Sequence, residues 1–127
     1  MGYQFKKHYT RDEARALLPQ IRQWLKRLAE SREQLDRHDR RLASVLSGGR
    51  DAGGDTVNHW VKAVADIKET LNEFQKREIH IKDLERGLID FPALLGDKEV
   101  FLCWEQDEPD IEFWHDLNSG YAGRERL

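Results

Sequence analysis

Apolar residues recur at helical spacing through the first half of this chain and alternate with polar ones in its last third. Thr10-Arg11-Asp12-Glu13 has the form of a capping box, in which the threonine hydroxyl and the Glu13 carboxylate each accept from the other residue's backbone N–H. A helix is predicted to start there. Ala14, Leu17, Leu18, Ile21, Trp24, Leu25, Leu28, Leu35, Leu42 and Val45 continue it, and Ile21, Leu28, Leu35 and Leu42 lie one heptad apart, a coiled-coil-like seam. Pro19 removes one helical hydrogen bond and is expected to bend the helix without ending it. Ser31 or Arg32, and His38, occupy the alternate seam positions; this weakening predicts two packed helices rather than an autonomous rod. The glycine-rich stretch Ser47 to Gly54 reverses the chain. Asp55 or Thr56 then caps a second amphipathic helix carrying Val57, Trp60, Val61, Val64, Ile67, Leu71 and Phe74.

After Arg77 the period changes from helical to alternating. Ile79–Ile81, Leu88–Phe91 (ended by Pro92), Val100–Trp104 and Ile111–Trp114 read as strands, the last two joined by turn residues Asp107 to Asp110. Asn118 to Gly123 reads as coil, and Arg124 to Leu127 have no evident anchor. The predicted fold class is α+β: a long antiparallel helical hairpin followed by a small, mostly antiparallel β-sheet. One domain, 1–127, is expected, with the hairpin over 10–78 and the sheet and C-terminal coil over 79–123.

Composition sharpens this picture. Charged residues make up 35% of the chain and mean hydropathy is -0.81, which predicts long exposed helical faces. Two helices shield only part of their apolar stripes, so self-association is expected, a dimer favoured, with Trp24, Leu28, Leu35 or Trp60 at the contact. A net charge of -3 argues against nucleic-acid binding through bulk charge; the basic cluster Arg37, His38, Arg40 and Arg41 is interleaved with acids and reads as a solvated helix face. The single cysteine, Cys103, excludes an internal disulfide, and a reducing cytoplasm is the expected location. No apolar run approaches the roughly 18 residues of a membrane span.

Chemistry concentrates between residues 82 and 123. Asp90, Glu112, His115 and Asp116, with His80 and Asp83 as further members, combine imidazole and carboxylate donors suited to a divalent transition metal. Alternation puts Glu112, Trp114 and Asp116 on one side of an extended strand and Phe113 and His115 on the other, so a common pocket requires a bend after Trp114. There is no HExxH or paired CxxC, and such a cluster also reads as a hydrogen-bonded structural group. Trp104 and Trp114, with Phe91, Phe101 and Phe113 near them in the pattern, offer walls for a small ligand but equally a sheet core. The expected metal ligands are His115, Glu112 and Asp90, and the expected small-ligand contacts are Asp90, Trp104, Glu112 and Trp114. Cys103, mid-strand between Leu102 and Trp104, reads as a buried, inert thiol. The acidic turn lacks a calcium-loop register, and the glycine loop lacks the ending of a phosphate cradle.

The phrases KDLERGLIDFPAL and LCWEQDEPDIEFWHDLNSGYAGR, after two amphipathic helices that open with YTRDEARALLPQIR, resemble the domain-of-unknown-function 2203 family over nearly the whole chain. The resemblance implies this arrangement of segments. It implies no activity and no set of site residues.

Overall fold

The computed structural model describes residues 2–47 and 54–127. Helix α1 spans Arg11–Ser47 and α2 spans Gly54–Gln75; strands β1 His80–Asp83, β2 Leu88–Leu95, β3 Lys98–Glu105, β4 Phe113–Asp116 and β5 Glu125–Arg126 follow, with a short 3-10 turn at Tyr121–Gly123 before β5. The fold is α+β, two helices followed by a five-stranded antiparallel sheet in the order β1-β2-β3-β4-β5. Residues 48–53 of the predicted reversal lie outside the described residues. The chain packs as two units, one of residues 1–23 with 73–127 and one of 24–72.

The unit of residues 24–72 is a helical hairpin. On α1, Trp24, Leu28, Ser31, Leu35, His38 and Leu42 follow a 4-3 spacing, as do Thr56, Trp60, Ala63, Ile67 and Thr70 on α2, and all are buried or half-buried. The arms run antiparallel, as Arg27 reaching Asp66 and Trp60 Nε1 donating to Asp39 show. Ser31 and His38 occupy seam positions as expected, Arg32 does not, and Ser31, Thr56, Ala63 and Thr70 are buried small or polar seam residues, with the Thr70 hydroxyl bonded back to the Asp66 carbonyl. Trp24 and Leu28 are buried within the single chain, so they are not available for the subunit contact expected of them.

In the other unit the capping box forms as predicted: Glu13 N–H donates to Thr10 Oγ1 at 3.1 Å and Thr10 N–H to Glu13 Oε1 at 3.0 Å. Ala14, Leu18 and Ile21 are its buried helical stripe. Strands β2 and β3 read as near-continuous apolar runs because both faces of the sheet are covered. Ile89, Phe91, Ala93, Val100, Leu102 and Trp104 share one face, where Tyr9 packs on Phe91 and the Arg22 guanidinium lies 4.9 Å over Trp104. The opposite face carries His80, Asp90, Pro92, Phe101, Cys103, Phe113 and His115.

Three sequence expectations change. Pro92 does not end β2, which runs on to Leu95. Past Asp90, β1 no longer pairs with β2, and the Pro92 carbonyl accepts instead from Tyr9 N–H at 2.7 Å, so the missing proline N–H falls on the side where no strand requires a donor. The fourth strand lies two residues later than Ile111–Trp114; Ile111 is instead buried behind Asp110, whose carboxylate accepts its N–H. The C-terminus is anchored: β5 pairs with β4, Leu127 N–H donates to Glu112 O, and the Arg124 guanidinium makes two hydrogen bonds to Glu108 between the rings of Phe113 and Tyr121.

Candidate functional site

The β2–β3 hairpin turns at Gly96-Asp97, with Gly96 at φ 65, and this two-residue turn sets the register outward from Leu95↔Lys98. Counting back, Asp90 lies opposite Cys103. The same row continues to His80 on β1 and Phe113 on β4, so His80, Asp90, Cys103 and Phe113 project from one face in a line across four strands. His115, opposite Phe101, is one diagonal away from Cys103 on that face.

These placements bring together one carboxylate, one thiol and one imidazole. Ligand atoms of Asp90, Cys103 and His115 all lie within 4.8 Å of one another, and all three residues are buried, Asp90 to 1% and His115 to 2% exposure. His115 Nδ1–H donates to its neighbour's carbonyl, Asp116 O, at 2.7 Å. A carbonyl only accepts, so this bond places a proton on Nδ1, and Nε2 faces the cluster, 2.9 Å from Asp90 Oδ2, in a hydrogen bond whose own proton a metal ion would displace. The other carboxylate oxygen, Asp90 Oδ1, is buried without a hydrogen-bond partner among the described residues. Burying an unpartnered carboxylate oxygen is unfavourable, by about 1–3 kcal/mol or more for a charged group. Burial, and then the negative charge of Asp90, push the Cys103 thiol up to about 12; the Arg124 guanidinium, 3.9 Å from the sulfur, works in the opposite direction.

This arrangement is not a nucleophilic Cys-His-Asp triad. Both imidazole nitrogens are committed elsewhere, Nδ1 to a carbonyl and Nε2 to the carboxylate, so neither is placed to take the thiol proton. It does fit a metal ligand set. A metal-bound histidine commonly donates its other N–H to a carbonyl or carboxylate, as His115 does to Asp116 O. Tetrahedral zinc with nitrogen at about 2.0 Å and sulfur at about 2.3 Å spaces its donors about 3.5 Å apart. The donors here lie within 4.8 Å of one another, with Asp90 Oδ2 and His115 Nε2 at 2.9 Å, so an ion requires that pair to open.

The other expected residues lie elsewhere. Strand β4 runs straight from Phe113 to Asp116 with no bend after Trp114, so Trp114 and Asp116 point away from His115, and Asp116 pairs with Lys98. Glu112 precedes β4, outside the cluster, with its carboxylate 4.0 Å from Arg126. Trp104 is fully buried on the opposite face, its Nε1–H donating to Glu108 O at 3.0 Å. Asp83 accepts from Arg86 N–H in the β1–β2 turn. His80 and His115 do not touch directly; each packs on Phe101, with ring centroids 5.2 and 5.5 Å away. Burial, then the Lys82 cation, hold His80 below the ordinary imidazole pKa. Cys103 was not among the expected ligands. Its partnership with Asp90 was carried by Gly96-Asp97, a two-residue hairpin turn, and was hidden by ending the second strand at Pro92.

The sequence model of the family described as "Uncharacterized conserved protein (DUF2203)" matches residues 7–127. The chain belongs to the DUF2203 family. That match spans the whole sheet and every residue of the Asp90–Cys103–His115 cluster in this DUF2203 protein. No curated protein and no solved structure matches the chain. Among the described residues, no helix is long and apolar enough to cross a membrane.

Proposed function

We propose that this DUF2203 protein binds a divalent transition metal of the zinc class through Asp90, Cys103 and His115. The supporting observation is the unpartnered, buried Asp90 Oδ1 within a cluster of three different donor types. A dipositive ion bound to carboxylate and thiolate is charge-balanced, which suits a site closed to water. The sulfur donor selects a borderline-soft ion over magnesium or calcium. Burial of all three donors favours an ion that fastens β2, β3 and β4 together over one that turns over a substrate. The reducing cytoplasm inferred from the single cysteine would keep Cys103 available as a ligand.

The test is elemental analysis of untagged protein, followed by cobalt(II) titration of chelator-stripped protein. A stoichiometric ion and a sulfur-to-cobalt charge-transfer band, lost in Cys103→Ala and weakened in His115→Ala, are expected. Substoichiometric metal that these substitutions do not change would sink the proposal.

A second reading, self-association as a dimer, rests on α2. Val57, Val61, Val64 and Leu71 form a stripe one position removed from the seam, with Val57 37%, Val61 52% and Leu71 40% exposed. Lys68 is the one charge within that stripe, in a chain that is 35% charged. Light scattering is expected to give a dimer that Val61→Asp converts to monomer; a monomer at high concentration would end this reading.

A further inference from the structure

We infer that His80 is the fourth ligand of the metal centre, closing over an ion already held by Asp90, Cys103 and His115; the inference rests on the metal-binding reading above. His80 stands directly opposite Asp90 on the neighbouring strand, on the same face and in the same row as Cys103. Directly opposed residues in an antiparallel pair have Cβ atoms about 4.5–5.5 Å apart. His80 is not among the donors that lie within 4.8 Å of one another, so ligation requires its ring to turn toward the Asp90 carboxylate. Asp90 Oδ1 has no partner, and neither ring nitrogen of His80 has a hydrogen bond among the described residues. The buried, unpartnered carboxylate oxygen of Asp90 and a partly exposed imidazole without a hydrogen bond to any described residue therefore occupy opposed positions on neighbouring strands. The His80 ring makes edge contacts with Phe5, at 5.0 Å, and Phe101, at 5.2 Å. Such contacts are individually weak, about 0.5–1.5 kcal/mol, and yield to a metal–nitrogen bond.

Exposure gives His80 a second role. Its three co-ligands are buried, whereas His80 is partly exposed, so it is the member of the set that solvent reaches. An ion entering from that side passes His80 before reaching the carboxylate, thiol and inner imidazole. Rotation of His80 onto the ion then completes an N2OS tetrahedral set with no position left for water. Four protein donors mark a closed, structural centre; three would leave an open one.

The experiment is cobalt(II) titration of chelator-stripped, full-length protein, comparing the native chain with His80→Ala and, as a variant that retains polarity and bulk, His80→Gln. The native chain is expected to show intense four-coordinate visible bands that added imidazole does not alter. Either variant is expected to bind cobalt at least 10–100-fold more weakly, about the loss seen when even an outer-shell partner of a metal ligand is removed. The vacated position should then admit imidazole, with a spectral change the native protein lacks. Equal affinity and identical spectra in native and variant chains would overturn the assignment while leaving the three-ligand centre intact. So would native bands that shift with imidazole. Failure of the native chain to bind cobalt at all would overturn both this assignment and the metal-binding reading.

Discussion

Replacing the buried Asp90–His115 pair one residue at a time and then together separates a coupled polar centre from two independent core positions. Asp90→Val and His115→Leu roughly conserve volume, so the change is one of charge and hydrogen bonding. His115→Leu leaves a carboxylate that is 1% exposed without its imidazole partner, which costs about 3–5 kcal/mol. Asp90→Val is milder, because His115 keeps its Nδ1–H bond to Asp116 O and loses only the partner of Nε2; about 1–3 kcal/mol is expected. Were the two independent, the double variant would lose about 4–8 kcal/mol. Replacing both members of a buried pair by apolar groups is often close to neutral, so the double variant should lose no more than about 2 kcal/mol. Urea unfolding followed by far-UV circular dichroism, with a chelator present, measures all four chains. At about 4 °C per kcal/mol, His115→Leu should melt about 12–20 °C below the native chain and the double variant above it. Single-variant losses that add within about 0.5 kcal/mol would refute the coupling. Repeating the series with zinc at about 100 times its Kd should stabilise the native chain alone, by about 2.7 kcal/mol.

Three further outcomes follow from geometry outside the cluster. Gly87 sits at φ 64, and a Cβ there would lie only 2.6–2.8 Å from the Gln106 side chain, so Gly87→Ala should cost about 1–2 kcal/mol from backbone strain alone, read as a lowered Tm; adding Gln106→Ala removes the Cγ and Cδ contacts but keeps the Cβ at 2.8 Å, so it should recover little, and an unchanged Tm in the single variant would contradict this account. Arg124→Ala removes two hydrogen bonds to Glu108 and the cation between Phe113 and Tyr121, so a loss of about 3 kcal/mol and faster amide exchange in β5 are expected, with Arg124→Lys restoring little because an ammonium cannot form the paired bonds. Glu99 is raised by burial but lowered further by hydrogen bonds from His8, Phe5 N–H and Gln4 N–H, for a net pKa below 4.5. With the folded value depressed, its stabilisation is full above the unfolded value of 4.5 and is lost as pH falls through the folded one. Glu99→Gln should therefore flatten the acid limb of a Tm-versus-pH curve; an acid limb that keeps its slope would disprove the link.

Periodicity and capping chemistry were readable in the sequence because they depend on residues a few positions apart. Thr10 and Glu13 cap α1, the 4-3 spacing from Trp24 to Leu42 forms a seam, and alternation separates Trp114 and Asp116 from Phe113 and His115. The alternation places Asp116 and His115 on opposite faces, and the straight β4 leaves that parity in force. What joined the candidate site was distant in sequence. Asp90 meets Cys103 through the Gly96-Asp97 turn, and His115 reaches Asp90 across β3, a 25-residue separation. Glu112, equal to Asp90 in sequence as a donor, falls before the first residue of β4 and pairs outward with Arg126.

Anchoring of the two chain ends also lay beyond local pattern. Residues 4 to 8 are fixed by carboxylates at Glu78 and Glu99, more than seventy positions away, and Arg124 by Glu108 and two aromatic rings. The sequence by itself determined the two helices, the centres of the first four strands and which side of each strand a residue takes, because backbone geometry sets the periods 3.6 and 2; the length of β2, the start of β4 and the existence of β5 it did not. Only the tertiary structure decided register, and register alone turns a lone thiol, an aspartate and a histidine into one buried cluster: shifting a strand by one residue moves every side chain to the other face.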